Sequence, residues 1–523
     1  MTERLKTAGN PFPQLDPLVA AAWNARVAVA PGGSATVYVA HALLLHAPAG
    51  DSPGRIDAIN EVAGKLGIKV EPTPLGVPSR RRDPGRTPSG GTGDPATAAD
   101  PLASLGPATE TSRLLLHAEE DDADAWRLLA ALRRAGVADG VSLDHLMTAV
   151  PYYAGMGEPG ADASGGPDWT GVPYYAGVPY YAGVGSPSTG YASPGLGGRT
   201  PVAVVLPDPA ANAPRFKRAP VVVVPDTGLE DHPWFRDPAS ATAEVYADGQ
   251  LLGRHGTVPG SAVPEPVRNP LDGMLLPFAG HGTFIAGLVR QLCPAARILG
   301  IPVMTDDGVV AESCLIATLE SLRTRQIDAL AAGNAEDLVD VLSLSLGYYH
   351  EEPRDRLADA PLRALLEDLG RLGVLVVAAA GNNSTTAPMF PAGFCDGPAD
   401  PALAPLVGVG ALNPDGSVAY FSNAGAWVAC HRPGAALVST MPVHLRGHLQ
   451  MSAALREVEP RRATLDPDDF SGGFGVWSGT SFAAPVLAAE LAAGLLDSTA
   501  VDVAARLDRA WDALAHTLDW ERP

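Results

Sequence analysis

The sequence predicts an α/β protein: a parallel sheet flanked by helices over 201–523, preceded by a ferredoxin-like α+β domain over 1–150 and a low-complexity linker over 151–200. Three observations point there. Past residue 200, near-continuous apolar runs alternate with segments of helical periodicity, the pattern of strands covered on both faces by helices. Before residue 150, two strand–helix–strand patterns follow one another, which together make a βαββαβ layer. Between these regions lies a stretch of Gly, Pro, Ser and Tyr that cannot bury enough apolar surface to offset its ordering entropy.

The N-terminal layer is read in order as a strand over Thr36–Ala47, a helix over Ile56–Leu66 and a strand over Ile68–Glu71. A strand over Ser112–Ala118, a helix over Ala123–Ala135 and a strand over Val141–Val150 complete it. The string Leu-Leu-Leu-His-Ala occurs in both halves, at 43–47 and 114–118. Pro72–Thr111, rich in Pro, Gly, Arg and Thr, reads as a loop without regular structure. In the linker, Val-Pro-Tyr-Tyr-Ala-Gly recurs at 150–155, 172–177 and 178–183, which reads as a flexible tether or as an exposed, protease-accessible segment. The strands of the larger domain are placed at Val202–Leu206, Val221–Val224, Ile298–Val303, Val339–Leu346, Val374–Ala379 and Leu406–Ala411.

Composition narrows the function classes. A net charge of −21 weighs against nucleic acid and anionic membranes as partners, because phosphate binding needs a basic surface. No apolar run approaches the roughly 20 residues that cross a bilayer, and Val27–Ala47 is broken by Pro31–Ser34 and His41. No apolar segment follows MTERLKTAGNPFPQLDP closely enough to read as a signal peptide, so a soluble, cytoplasmic protein is expected. Cys293, Cys314, Cys395 and Cys430 form no C-x-x-C pair, so a zinc site on them is not expected and free, mostly buried thiols are.

Active sites of open parallel sheets form at the carboxyl ends of strands. Val221-Val-Val-Val-Pro-Asp226-Thr-Gly228 ends a strand on a carboxylate; an Asp there equally caps a turn. Gly280-His281-Gly282-Thr-Phe-Ile-Ala-Gly287 sets an imidazole at a helix start with little bulk beside it; a lone His is equally a structural one. Gly479-Thr-Ser481-Phe-Ala-Ala-Pro485 opens an Ala/Leu-rich helix whose free N–H groups face Ser481, although a serine there is also an ordinary N-cap. Ala378-Ala-Ala-Gly381-Asn382-Asn383 offers a carboxamide at another strand end.

Taken together, VVVVPDTG, GHGTFIAG, AAAGNN and SGTSFAAP resemble the four signature blocks of the subtilisin-like serine proteases (subtilases), in that family's order. Leu342–Gly347 is similar to the substrate-lining strand, Phe390-Pro391-Ala392 to the turn behind the specificity pocket, and Tyr420-Phe421-Ser422 with Pro433-Gly434 to later strands. The resemblance covers roughly 200–497. It implies a serine endopeptidase, a hydrolase with an acyl-enzyme intermediate: Ser481 the nucleophile, His281 the general base, Asp226 its orienting carboxylate, and Asn382 with the Ser481 N–H the oxyanion hole. It further implies a polypeptide substrate laid extended along Ser345, Leu346 and Gly347, with Ala379, Ala380, Gly381 and Phe390 around a slot for a large apolar side chain.

The sequence also departs from the family. The histidine helix runs through Cys293-Pro294 straight into the next strand, leaving no room for the calcium-binding loop of many secreted relatives, and no metal or cofactor is expected. Phe284 stands where many relatives carry a second histidine. The stretch 253–277 reads as an elaborated rim loop, and 443–473 as an inserted loop, alternatively a lid. Residues 1–150 echo, in element order alone, the propeptide of many subtilases, which implies a zymogen inhibited in cis. The rival is a latent protease that serves mainly as a partner-binding module; an esterase or transpeptidase with the same groups is a third alternative.

Overall fold

The computed structural model describes residues 23–29, 35–75, 101, 105, 109–118, 123–149, 199–213, 216–253, 275–351, 361–397, 399–446, 454–455, 462–463 and 469–523. The tether repeats, nearly all of the expected rim loop and most of the Pro/Gly/Arg-rich stretch lie outside these residues.

The N-terminal layer begins with a hairpin, β1 (Ala25–Val29) against β2 (Ala35–Pro48). The interrupted apolar run Val27–Ala47 is therefore two strands. Then come α1 (Ser52–Gly64), β3 (Ile68–Pro74), β4 (Thr109–Ala118), α2 (Ala125–Ala135) and β5 (Val141–Thr148). The antiparallel order is β5-β2-β4-β3. Helix α1 starts earlier than its apolar periodicity suggests, because Pro53 sits in the first turn, where a missing N–H costs nothing. The ends of the expected loop are strand, since Pro72–Pro74 pair with Leu114, Arg113 and Ser112. Asp124 accepts from Arg127 N at 3.0 Å to start α2, and Gly136, at φ 71°, ends it. Its leucines 128, 129 and 132 pack with Leu43, Leu45 and Leu143 of the sheet.

Among the described residues, the main sheet has seven parallel strands in the order Cys430–Pro433, Leu406–Leu412, Leu375–Ala379, Val341–Leu344, Val221–Asp226, Arg297–Pro302, Ala241–Thr242. Its four-valine strand shows why the run is continuous. Val221 and Val223 join the core that includes Leu315, Ile316, Leu362 and Leu366 of helices Glu312–Ala332 and Pro361–Arg371. Val222 and Val224 join the core with Phe284, Leu288, Phe482 and Leu487 of helices His281–Leu292 and Thr480–Gly494. Both faces are covered, so neither can be polar.

The expected strand Val202–Leu206 is not formed. Val204 and Val205 are exposed at 39% and 80%, and only Thr200–Pro201 pair, with Val476 and Gly475. An apolar run becomes a strand only where an edge receives it. The converse holds at Val309–Ala311, which the sequence pattern did not single out: it pairs antiparallel with β5, Val309 opposite Thr148 and Ala311 opposite Leu146. The N-terminal layer and the larger domain thus share a sheet. Asp144 of β5 tightens the joint. Ala311 gives no side-chain cap to helix Glu312–Ala332, and Asp144 accepts instead from Ser313 N (2.9 Å) and Ser313 Oγ (2.8 Å), while Arg113 Nε pairs with it at 2.8 Å.

Within the inserted stretch, Ala454–Leu455 pair with Arg462–Ala463, and Leu445 and Phe470 are buried in the core. No helix among the described residues is long and apolar enough to cross a membrane. All four cysteines are free thiols. Burial pushes the Cys293 and Cys430 thiols up to about 11, so they stay protonated at neutral pH.

Candidate active site

Asp226 is the last residue of the buried central strand, and Gly228, at φ 107°, turns the chain sharply away. Its Oδ1 accepts from Thr227 N at 2.7 Å and is 2.8 Å from His281 Nδ1. The imidazole opens its helix behind Gly280, a left-handed residue at φ 81°. A Cβ at Gly282 would collide with the Gly228 carbonyl, so only glycine lets these two loops approach closely enough for the Asp–His bond. Gly282 N donates to Thr227 Oγ1 at 2.9 Å and ties them together. Phe278, Trp477 and Phe482 stand around the imidazole with ring centroids 5.5, 5.3 and 5.2 Å away. Phe284 packs on Phe482 beside it, centroids 4.6 Å apart, as part of this wall.

Ser481 is the second residue of its helix, where backbone N–H groups lack intrahelical acceptors. Its carbonyl accepts from Ser345 Oγ at 2.8 Å, which ties the serine helix to the end of strand Val341–Leu344. The Ser481 hydroxyl lies 3.3 Å from the Ala149 carbonyl oxygen and 3.4 Å from that of Ser345. Those two carbonyls accept its proton, and the serine–histidine hydrogen bond expected of a triad is not formed here.

Asn382 is held through Oδ1, which accepts from Thr480 N (2.8 Å) and Thr480 Oγ1 (2.9 Å). Thr480 Oγ1 in turn accepts from Gly381 N at 3.0 Å. This bonding fixes the amide so that its Nδ2 edge turns away from Thr480. Beneath it, Asn423 donates to Ala380 O (2.9 Å) and Tyr349 Oη (2.7 Å) and accepts from Asn383 N (3.0 Å). Thr480, Asn423 and Tyr349 received no role from the sequence. Thr480 and Asn423 sit inside or just after the quoted blocks, but their work is to hold backbone, which no residue pattern displays.

The residues expected to line the substrate track pair with the chain itself. Gly347 exchanges both backbone hydrogen bonds with Thr148, at 2.9 and 3.0 Å, and Ala149 N donates to Gly308 O at 3.1 Å. Leu146–Ala149 therefore lies between Gly308–Ala311 on one side and Gly347 on the other. Leu346, Ala379, Ala380 and Gly381 are buried around the site. Phe390 pairs with Tyr348, and a Cβ at Gly347 would meet the Phe390 carbonyl and the Met389 side chain. Ser345, Leu346, Gly347 and Phe390 thus form one edge. The residue it presents to Ser481 is the small Ala149.

The sequence model of the subtilase family matches residues 217–500. The chain is similar to Subtilisin-like proteinase Mp1 of Magnaporthiopsis poae, 29% identical over 217 residues, which cover 39% of this chain and 47% of that protein. It is also similar to Subtilisin BL of Lederbergia lenta, 29% identical over 230 residues, 42% of this chain and 66% of that protein. The chain thus spans between about half and two thirds of the length of these relatives. Among solved structures, a cold-adapted subtilisin-like serine proteinase matches at 21% identity with a TM-score of 0.34, over 58% of this chain and 85% of that one.

Proposed function

Because the chain belongs to the subtilase family, we propose that it is a serine endopeptidase that cuts polypeptides through Asp226, His281 and Ser481, with residues 1–150 holding it latent in cis. The observation that carries the proposal is the buried 2.8 Å bond from Asp226 to His281 Nδ1, with Ser481 and Asn382 bonded into the same strand-end edge through Ser345 and Thr480. In this mechanism Ser481 Oγ attacks the peptide carbonyl carbon while His281 Nε2 takes its proton. Asp226 keeps the other ring proton on Nδ1 and stabilises the imidazolium. The Asn382 amide and the Ser481 N–H hold the oxyanion. The C–N bond breaks as His281 returns the proton to the leaving amine, and water then cleaves the acyl-enzyme by the same path.

Support for latency comes from the occupant of the cleft. Leu146–Ala149 pairs on both sides as an extended substrate would, and its last carbonyl lies against the Ser481 hydroxyl. The bond so presented is Ala149–Val150. Turning of the hydroxyl from this carbonyl toward His281 arms the serine to cut that bond, and departure of the cut segment then opens the cleft to other polypeptides.

The test is a fluorophosphonate probe, which reacts only with an activated serine. Wild type incubated until its N-terminal layer is released should be labelled on Ser481, and Ser481→Ala not at all. Equal labelling of both chains, or none of wild type after release, contradicts the proposal.

A further inference from the structure

At the seam between the N-terminal layer and the main sheet lies a second buried cluster that hydrolysis does not use. His145, on β5, sets Nδ1 2.6 Å from Glu312 Oε2 and Nε2 3.0 Å from Glu351 Oε2, with all three side chains buried. Its ring lies flat on Tyr348, centroids 4.2 Å apart, and 5.4 Å from the ring of His350. His350 Nδ1 is 3.6 Å from the same Glu351 oxygen, and the second Glu351 oxygen takes Arg133 Nη2 at 3.3 Å. His145, His350, Glu312, Tyr348 and Arg133 border a cavity of about 230 Å³.

We propose that His145, His350 and Glu351 bind one divalent transition-metal ion of the zinc class, bridging the N-terminal layer and the main sheet. One ligand atom from each of the three lies within 4.8 Å of the others. A tetrahedral zinc with bonds of about 2.0–2.1 Å spaces its ligands roughly 3.3 Å apart. The separations of 3.0 and 3.6 Å bracket that edge. Glu312 supplies what a metal-bound histidine needs behind it, a carboxylate on the other ring nitrogen that fixes tautomer and orientation. Its second oxygen, Glu312 Oε1, is buried without a hydrogen-bond partner, a cost that a nearby dication lowers. Arg133 steadies the ligating carboxylate.

Two imidazoles and one carboxylate form a donor set that suits zinc, cobalt or nickel and not calcium or magnesium. The cavity gives a water molecule access to the fourth position. On binding, His145 Nε2 releases its proton to solvent and exchanges Glu351 for the ion. The consequence is mechanical: β5, just ahead of the segment at Ser481, is clasped to His350 and Glu351 of the larger domain.

The test uses the full chain carrying Ser481→Ala, so that it stays in one piece, stripped with a chelator and titrated with zinc alone. One zinc per chain by elemental mass spectrometry, with a raised melting temperature, is expected. Cobalt in its place should give a tetrahedral absorption band without thiolate charge transfer. Glu312→Gln should weaken zinc binding about 10- to 100-fold, and His350→Ala should abolish it. His350→Ala, with Glu351→Gln as second probe, decides the matter even if a His145 variant does not fold. No zinc retained by the parent chain, full retention in both His350→Ala and Glu351→Gln, or a thiolate band that places the ion on cysteine would overturn the proposal. These readouts need no turnover, so this site and the proposed hydrolysis stand or fall separately.

Discussion

Two buried imidazoles in this molecule sit against buried carboxylates through Nδ1, His281 against Asp226 at 2.8 Å and His145 against Glu312 at 2.6 Å. They differ at the other nitrogen. His145 Nε2 meets a second carboxylate, Glu351, at 3.0 Å. No second carboxylate bonds His281 Nε2 among the described residues, and aromatic rings surround it instead. For His145, burial alone would favour the neutral ring, but Glu312 and Glu351 outweigh it and push the imidazole up to about 10. An imidazole with two acid partners is committed as a structural cation or a ligand. One with a single acid partner keeps a nitrogen for taking and returning a proton. Burial and a carboxylate are therefore not enough to mark a catalytic histidine; the number of partners decides.

The largest way to break this contrast is at the nucleophile. Ser481→Ala should lower turnover about a millionfold, the loss subtilisin itself shows for its serine, measured on a peptide substrate with the N-terminal layer cut away from both chains by an added protease that is then inhibited. A loss of tenfold or less would remove Ser481 from the chemistry. Asp226→Asn should cost about 10⁴ in kcat by leaving His281 in the wrong tautomer, and unchanged kcat would make the carboxylate a mere turn cap. Asn382→Ala should cost on the order of 10² to 10³ in kcat with little change in KM; an effect confined to KM would assign it to substrate binding.

On the seam side the effect is on stability. Asp144→Ala removes the cap of helix Glu312–Ala332 and leaves Arg113 without its buried partner, which should cost about 3 kcal/mol. Urea unfolding that matches wild type would show that the joint contributes nothing.

A further effect is the pH response of a third buried imidazole with no carboxylate bonded to it. Burial lowers His232 to about 4 against the opposing pull of the Gly473 backbone, Asp231 and Asp208, with a small added push from Arg236. The unfolded chain, with its histidine at about 6.5, binds a proton between pH 6.5 and 4 that the folded chain does not. The stability this group contributes is whole above pH 6.5 and is lost as pH falls through that window. His232→Asn should flatten the slope there, and an unchanged slope would assign it elsewhere.

The two histidine sites also differ in how far the sequence reveals them. His281, Asp226, Ser481 and Asn382 announce themselves because each sits among glycines or small residues that the close packing of strand ends requires, as Gly282 shows against Gly228. The continuous valines at 221–224 reveal a strand buried on two sides for the same kind of reason. His145 lies in a stretch whose every residue is buried, Val-Ser-Leu-Asp-His-Leu-Met-Thr, where polar groups interrupt the apolar pattern without apparent cause. The cause is Ser313, Glu312 and Glu351, far away in sequence. Val309–Ala311 and Val202–Leu206 teach the same lesson for strands, one formed and one not according to whether a partner edge arrives. Local pattern records local constraint, and tertiary partners leave no mark on it.

Intact-mass measurement of the purified full-length chain beside Ser481→Ala bears most directly on the proposal of a peptidase held latent by its own N-terminal layer. Wild type should resolve into 1–149 and 150–523, the second beginning at Val150, while Ser481→Ala remains one chain of 53.9 kDa. Scission of both chains at the same bond, or an uncut wild type that also fails to cleave added peptide, would contradict it.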